Sequence, residues 1–277
     1  DATIDQWYQQ RTQSLKQLES PLSLEGMFWL QPGENTFGNN ASSKFKLPVK
    51  GLPDGGSYIV TNDSVILQLP ANSPIKVLGQ TSVAIKDIPK QDSLKYTSDK
   101  SKSIILAYDT YKWFVTYNAG RLAVRFLNGN SQFQQQFSKL DIYPVSKKYV
   151  YEGKYYPPVN NSILIKNVVG FTSQQSLAGY VEVTIDGRLY KLDALKRDDK
   201  LFVVFSDSTG LETSYPFKFL YLSAPANGSN KVTVDFNYST NPNCAFTPNA
   251  ECPLPTENHI IQTYIYAGEK KNQPKSI

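Results

Sequence analysis

The residues of this chain that most often ligate metal ions or act as nucleophiles lie close together. The two cysteines, Cys244 and Cys252, are separated by seven residues, and the single histidine, His259, follows them. Zinc sites favour cysteines about two to four residues apart and usually need four ligands. A disulfide across this small loop would instead stabilise the fold by about 2–3 kcal/mol on the loop-entropy model. The spacing favours a disulfide over free thiols or a metal site, and it predicts no cofactor.

His259 is the only base available for a Ser-His-Asp or Cys-His mechanism. It stands immediately before an apolar stretch, and no nucleophile motif accompanies it. The sequence also lacks a Gly-x-Ser-x-Gly motif, a phosphate loop and a dinucleotide fingerprint. These observations disfavour the common hydrolases and oxidoreductases, and we expect His259 to be structural or to face solvent.

Two carboxylates occur in a turn that follows the apolar run 201–205. Asp207 and Glu212, with Thr209 and Thr213 beside them, would stand at the end of a buried strand. A pair of carboxylates about 5–10 Å apart can act as the acid and base of a glycosidase, and the same groups can bind a ligand. The alternative is an ordinary turn in which Asp207 bonds its own backbone as an Asx-turn.

The stretch 235–258 is rich in asparagine and proline, which favour a long loop of defined shape. Loops held by a scaffold often present binding groups, and we expect Asp235, Asn237 and Asn241 to face the 207–213 turn. Arg121 is a further candidate, either gripping an anionic ligand or pairing internally with Asp235 or Glu269.

Composition excludes several classes of protein. The net charge is +5 with scattered lysines, whereas a nucleic-acid site needs basic residues concentrated on one face. No apolar run approaches the ~20 residues that a membrane-spanning helix needs. Two neighbouring cysteines and a single methionine fit an extracytoplasmic protein, secreted or periplasmic, better than a cytosolic one. Because the chain begins at Asp1, we expect that a signal peptide was removed or omitted.

The pattern of the whole chain predicts an all-β fold. One helix is indicated over residues 4–18 by apolar residues at helical spacing, and alternating strands follow almost to the end. A three- or four-residue loop at 118–121 and the dipeptide Asp186-Gly187 each predict a hairpin. We expect a helix and strand over residues 1–35, a small β-sandwich over 36–105 and a larger antiparallel barrel-like or sandwich domain over 106–277.

Four blocks of this sequence resemble an uncharacterised family, domain of unknown function 1684. They are Trp7 and Arg11 with Leu24–Leu30 and Gly33–Gly38; Gly120–Arg125; Phe205–Thr213; and Asp235–Asn237 with Asn241–Ala245, Cys252–Pro255, Asn258 and Ala267–Lys270. The resemblance implies a soluble, often secreted bacterial protein and implies no reaction. The chain departs from the family pattern in having Thr213-Ser214, Lys218 and Thr240 where relatives tend to carry Thr-Tyr, arginine and tyrosine.

Three functions follow from these residues. The first is a non-catalytic extracytoplasmic protein that binds a small molecule or glycan in a pocket formed by the 207–213 turn, Arg121 and the 235–258 loop. The second is a hydrolase acting on a glycan or ester through Asp207 and Glu212. The third is a metal-binding protein that uses Cys244, Cys252 and His259.

Overall fold

The computed structural model describes residues 2–49, 51–52, 55–88, 100–118, 120–226 and 228–271. The chain forms two compact units, one made of residues 1–12 with 138–277 and the other of residues 13–137. This division differs from the boundaries expected near residues 35 and 105. The reason is strand pairing, because residues 105–128 continue the sheet that begins at residue 24. The all-β prediction is confirmed, with a short helix of 14 residues at the N-terminus.

The unit of residues 13–137 contains two five-stranded sheets among its described residues. Their orders are β1-β10-β9-β8-β6 and β3-β2-β4-β5-β7, and one apolar cluster that includes Phe37, Trp113 and Phe126 joins the strands. The predicted hairpin is confirmed, because Arg121 pairs with Asn118. The elements are β1 (Leu24–Trp29), β2 (Gly33–Gly38), β3 (Phe45–Lys46), β4 (Gly56–Val60), β5 (Ser64–Gln68), β6 (Lys76–Val77), β7 (Ser82–Ala84), β8 (Ile105–Tyr108), β9 (Tyr111–Asn118), β10 (Arg121–Asn128) and the short helix α2 (Gln132–Gln136).

The second unit is built on an eight-stranded sheet that is nearly closed and barrel-like. Its order is β16-β15-β14-β13-β11-β17, with β12 paired to β13 and β18 paired to β15. The Asp186-Gly187 hairpin is confirmed, and both residues have the positive φ (47° and 80°) that such a turn requires. The strands are β11 (Val150–Tyr156), β12 (Ser162–Lys166), β13 (Thr172–Ile185), β14 (Arg188–Arg197), β15 (Lys200–Asp207), β16 (Lys218–Ser223), β17 (Lys231–Asp235) and β18 (Ile260–Ile261).

Helix α1 (Ala2–Leu15) is anchored in the second unit through its residues before position 13. The Tyr8 hydroxyl donates a 2.7 Å hydrogen bond to the carbonyl of Asn237, and Trp7 packs edge-on against Tyr238. The Arg11 guanidinium pairs with the fully buried carboxylate of Glu269. The helix predicted over residues 4–18 is thus present over Ala2–Leu15, with Ile4, Tyr8 and Leu15 buried on one stripe. No helix in the described ranges is long and apolar enough to cross a membrane.

Candidate functional site

The turn after strand β15 is closed by the side chain of Asp207. Its Oδ1 atom accepts hydrogen bonds from the Thr209 amide at 2.8 Å and from the Thr209 hydroxyl at 2.6 Å. Both residues are buried, at 7% and 0% exposure. An aspartate that caps its own following turn is an Asx-turn, so the structural role considered for Asp207 is observed here.

Lys218, which the sequence marked only as a departure from the family pattern and not as a site residue, lies against this turn. The Lys218 side chain is fully buried at the start of β16, and its Nζ atom is 3.0 Å from Oδ2 of Asp207. The same ammonium donates to the Thr209 hydroxyl at 3.2 Å. Burial lowers the pKa of Lys218, and the charge of Asp207 partly opposes that shift. The lysine at a position where the family resemblance implies an arginine was the signal in the sequence that pointed to residue 218.

The ion pair with Lys218 limits the roles that are open to the Asp207 carboxylate. One carboxylate oxygen faces the Lys218 ammonium and the other accepts three donors, the third being the Ile265 amide at 3.3 Å. Glu212, in contrast, is exposed and accepts a hydrogen bond from the Tyr264 hydroxyl at 3.1 Å. Asp207 is thus engaged as a structural anion, whereas Glu212 faces solvent. This arrangement gives no support to an acid/base pair formed by these two carboxylates.

The segment 262–271 runs beside the turn and presents two tyrosines to solvent. Tyr264 and Tyr266 are 45% and 41% exposed, whereas Ile265 and Ala267 between and after them are buried. This is the alternation of an extended chain that covers a core with one face. The two rings are nearly parallel, with centroids 5.6 Å apart and planes 13° apart. They therefore form a fixed aromatic pair on the surface.

Further contacts complete the surface around this pair. Tyr143 is buried beneath it, packs edge-on against Tyr266 at 5.7 Å and shares a hydrogen bond between its hydroxyl and that of Thr213. The Lys270 ammonium lies 5.1 Å from the centroid of the Tyr143 ring. The bond to Glu212 raises the pKa of the Tyr264 hydroxyl, because ionisation would remove the donor and set two negative charges together. We call these six residues the tyrosine face: Tyr143, Glu212, Thr213, Tyr264, Tyr266 and Lys270.

The asparagine-rich loop supports the backbone behind the tyrosine face. The backbone amide of Asn241 donates to Glu269 Oε2 at 2.7 Å, and its side-chain Nδ2 donates to the carbonyl of Lys270 at 2.8 Å. Gly268, with φ of 79°, crosses Ser239 so closely that a Cβ would meet the Ser239 carbonyl oxygen at 2.5 Å. A glycine is needed at that crossing. Asn241 thus bonds residues 269 and 270, and the turn is bonded one residue further on, where the Lys271 amide donates to the Thr213 carbonyl. That the loop faces the turn directly stays a prediction.

The other two candidates in this loop are structural. The Asp235 carboxylate accepts hydrogen bonds from the backbone amide and the side-chain amide of Asn237, at 2.9 and 2.7 Å. The Asn237 side chain also exchanges two 3.0 Å hydrogen bonds with the backbone of Ser146. These contacts hold the start of the loop to the chain before β11.

Arg121 belongs to the other compact unit. It begins β10, and its guanidinium carbon lies 4.5 Å from the centroid of the Trp29 ring. Asp235 is engaged by Asn237, and Glu269 is paired with Arg11. The two acids considered as partners of Arg121 therefore have partners within their own unit.

The cysteines meet in the loop as expected. Both are free thiols in this structure, and the Cys244 amide donates to the Cys252 sulfur at 3.1 Å. Burial raises the pKa of Cys252, whereas the hydrogen bond between the two side chains lowers that of Cys244. The disulfide stays a prediction about the oxidised protein.

His259 is buried and uses both ring nitrogens. Nε2 accepts from the Asp193 amide at 2.8 Å, so Nδ1 carries the proton that it directs to the Val204 carbonyl at 2.7 Å. This tautomer leaves no nitrogen lone pair for a metal ion. Across the described ranges, no group of three or more His, Cys, Asp or Glu residues is placed to hold one. The geometry gives no support to the metal-binding hypothesis.

Comparison with known proteins agrees with the resemblance seen in the sequence. Residues 135–270 match the model of the family described as Protein of unknown function (DUF1684). This range contains the third and fourth sequence blocks, and the first two blocks precede it. No curated protein matches the chain. A similar solved structure is the solution NMR structure of an uncharacterised protein from gene locus rrnAC0354 of Haloarcula marismortui. It is 23% identical, covers 50% of this chain and 78% of that chain, and has a TM-score of 0.42.

Proposed function

We propose that this chain, whose residues 135–270 belong to the DUF1684 family, is a non-catalytic binding protein that takes a small molecule or glycan on the tyrosine face. The observation that carries the proposal is the pair of exposed, parallel rings of Tyr264 and Tyr266 with the Glu212 carboxylate bonded beside them. Flat aromatic surfaces with a few polar groups at their edges are common at recognition sites.

The buried groups beneath the face explain why binding is favoured over hydrolysis. Asp207 anchors both the turn, through Thr209, and the tyrosine segment, through the Ile265 amide. Its charge is neutralised by Lys218, which is itself fully buried. A buried carboxylate that is paired and hydrogen-bonded in this way holds the backbone of the surface above it in position.

The proposal is tested by ligand-induced thermal stabilisation. A ligand that binds only the folded state raises the midpoint of unfolding in proportion to its affinity and concentration. Wild-type protein is screened against a library of metabolites, oligosaccharides and peptides, and the compounds that stabilise it are repeated on the double variant Tyr264→Ala/Tyr266→Ala. We expect the double variant to lose the stabilisation.

The matched control is Tyr221→Ala, which removes a tyrosine of 50% exposure outside the tyrosine face. This variant should keep the full response. A library with no stabilising compound, or a response that survives in the double variant, would contradict the proposed function.

We also propose that the protein acts outside the cytoplasm, as a secreted or periplasmic protein. Contact between Cys244 and Cys252 supports this, because a neighbouring pair of thiols becomes a disulfide in an oxidising compartment. Expression from the native gene followed by cell fractionation tests the location. Recovery in the cytoplasmic fraction with both thiols reduced would refute it.

A further inference from the structure

The charges around the tyrosine face are few and of opposite sign. Glu212 is acidic, Lys270 is basic, and the exposed Lys271 adds one more basic residue at the rim. Beneath them, Asp207 and Lys218 neutralise each other at 3.0 Å. Recognition of phosphate or of a polyanion relies on clusters of arginine and lysine. The face is therefore built for a ligand without strong net charge.

The polar groups of the face suit hydroxyl groups. One oxygen of the Glu212 carboxylate accepts from Tyr264, and the other has no hydrogen-bond partner within the described part of the chain. Carboxylates form short, strong hydrogen bonds with hydroxyl donors. The exposed side chain of Thr213 and the tyrosine hydroxyls add groups that both donate and accept. These groups stand at the edge of an apolar ring surface, as a ligand with one apolar face and polar edges requires.

The aromatic pair is held in place before any ligand arrives. The two rings pack in parallel on each other, and Tyr143 supports Tyr266 from below. Tyrosine loses little conformational entropy when it binds, because only two side-chain torsions define its position. Because the two rings are already positioned, less conformational entropy is lost on binding, and more of the contact free energy contributes to affinity.

The arrangement of the two rings also distinguishes between two kinds of neutral ligand, proline-rich peptides and sugars. Proline-rich peptides dock into grooves lined by aromatic residues. Here both exposed rings come from one extended segment, two residues apart, and pack in parallel on each other. Two rings from one segment supply a single aromatic wall, whereas the grooves that bind such peptides are lined along the length of the peptide. The apolar C–H face of a sugar ring fits such a surface, with the sugar hydroxyls at its edge.

Resting on the proposed function, we infer that the ligand of the tyrosine face is a neutral saccharide. A pyranose ring stacks on the Tyr264–Tyr266 pair, and its hydroxyls bond to Glu212 and Thr213. The parallel exposed rings, and a net charge of only +1 from Glu212, Lys270 and Lys271, carry this assignment.

The experiment titrates wild-type protein, labelled on its tyrosine rings, with three probes and follows the ring signals by NMR. The probes are neutral oligosaccharides of glucose, xylose or N-acetylglucosamine, the polyanion heparin, and a proline-rich decapeptide. Single Tyr→Phe substitutions assign the signals of Tyr143, Tyr264 and Tyr266. We expect a neutral oligosaccharide to shift these three signals, with a dissociation constant on the order of 0.1–1 mM.

Variants then locate the contact. Tyr266→Ala should weaken saccharide binding at least about tenfold, and Glu212→Gln about threefold or more because a neutral amide accepts hydrogen bonds less strongly. Tyr221→Ala should change the affinity less than about twofold. Added salt should have little effect, since a neutral ligand releases no counterions.

Two outcomes overturn the inference, and each bears differently on the proposed function. If heparin or the peptide shifts the three ring signals and no oligosaccharide does, the saccharide assignment is wrong. The proposed function, binding of a ligand on the tyrosine face, would still stand. If an oligosaccharide binds but leaves these signals unchanged, or binds Tyr266→Ala as tightly as wild type, the assigned site is wrong. If no probe binds and the library screen also finds no ligand, both proposals fail together.

Discussion

Replacement of Lys218 tests the claim that a buried ion pair holds the turn and the tyrosine segment together. Lys218→Met keeps most of the apolar stem and removes the ammonium. Both side chains of the pair are only 1% exposed, and Nζ and Oδ2 are 3.0 Å apart. The substitution therefore leaves the Asp207 carboxylate buried without its cation, while its other oxygen keeps three donors.

The expected magnitude follows from this geometry. Removing one partner of a buried pair commonly costs about 3–5 kcal/mol, because the remaining charge stays desolvated. The three donors to Oδ1 still stabilise the charge, so we expect a loss near the lower end, about 3 kcal/mol. In the double variant Asp207→Asn/Lys218→Met no buried charge remains. It should be more stable than Lys218→Met alone by about 1–2 kcal/mol.

Urea unfolding followed by near-ultraviolet circular dichroism measures these differences, with the transition midpoint and slope compared between variants. Lys231→Met is the matched control, because Lys231 pairs with Glu152 at 3.2 Å but the two side chains are 69% and 65% exposed. Its cost should stay below about 1 kcal/mol. A loss for Lys218→Met no larger than that of the control would refute the reasoning.

Three further predictions concern other buried groups. Burial raises the pKa of Tyr58 well above its usual value of 10. As the pH rises, the Tyr58 hydroxyl therefore ionises in the unfolded state before it ionises in the folded state. The free energy of unfolding should then decrease above pH 10 by about 1.4 kcal/mol per pH unit. In Tyr58→Phe the free energy of unfolding should decrease less steeply with pH, as measured by urea midpoints between about pH 9 and 11. An unchanged dependence on pH would contradict this prediction. Arg11→Met should cost about 2–3 kcal/mol by leaving the buried Glu269 carboxylate without its cation, and a urea midpoint equal to that of wild type would be inconsistent with this. Protein isolated without reductant and then unfolded in urea, which exposes the buried Cys252, should react with maleimide at Cys244 and Cys252 only after reduction, and direct labelling would show that no disulfide forms.

Some elements could be predicted from the sequence because local physics decides them. The Asp186-Gly187 turn needs two residues at positive φ, and this dipeptide supplies them. Asp207 closes its own turn through an amide two residues on, which its residue type favours wherever the turn lies. Likewise, alternation indicates the all-β class, because period-two burial occurs in strands such as β5, β13, β16 and β17.

The boundary between the compact units could not be predicted in the same way. Strands β9 and β10 form a local hairpin, but β10 also pairs with β1, about a hundred residues earlier in the chain. Sequence position placed them with the later domain, and non-local pairing placed them with the earlier unit.

The candidate site shows the same division between local and tertiary causes. From residue types alone, an Asx-turn at 207–213 was one of two interpretations of Asp207, and a shaped 235–258 loop and a mainly β chain were predicted. Only the tertiary structure showed that Lys218 neutralises Asp207, that Glu212 meets Tyr264, and that Arg11 meets Glu269. These contacts depend on strand register and on which segments cross, and residue types do not encode either when the partners are far apart in the chain. The physical reason is that a buried charge needs a partner in space, whereas the spacing of residues reports only on neighbours along the chain.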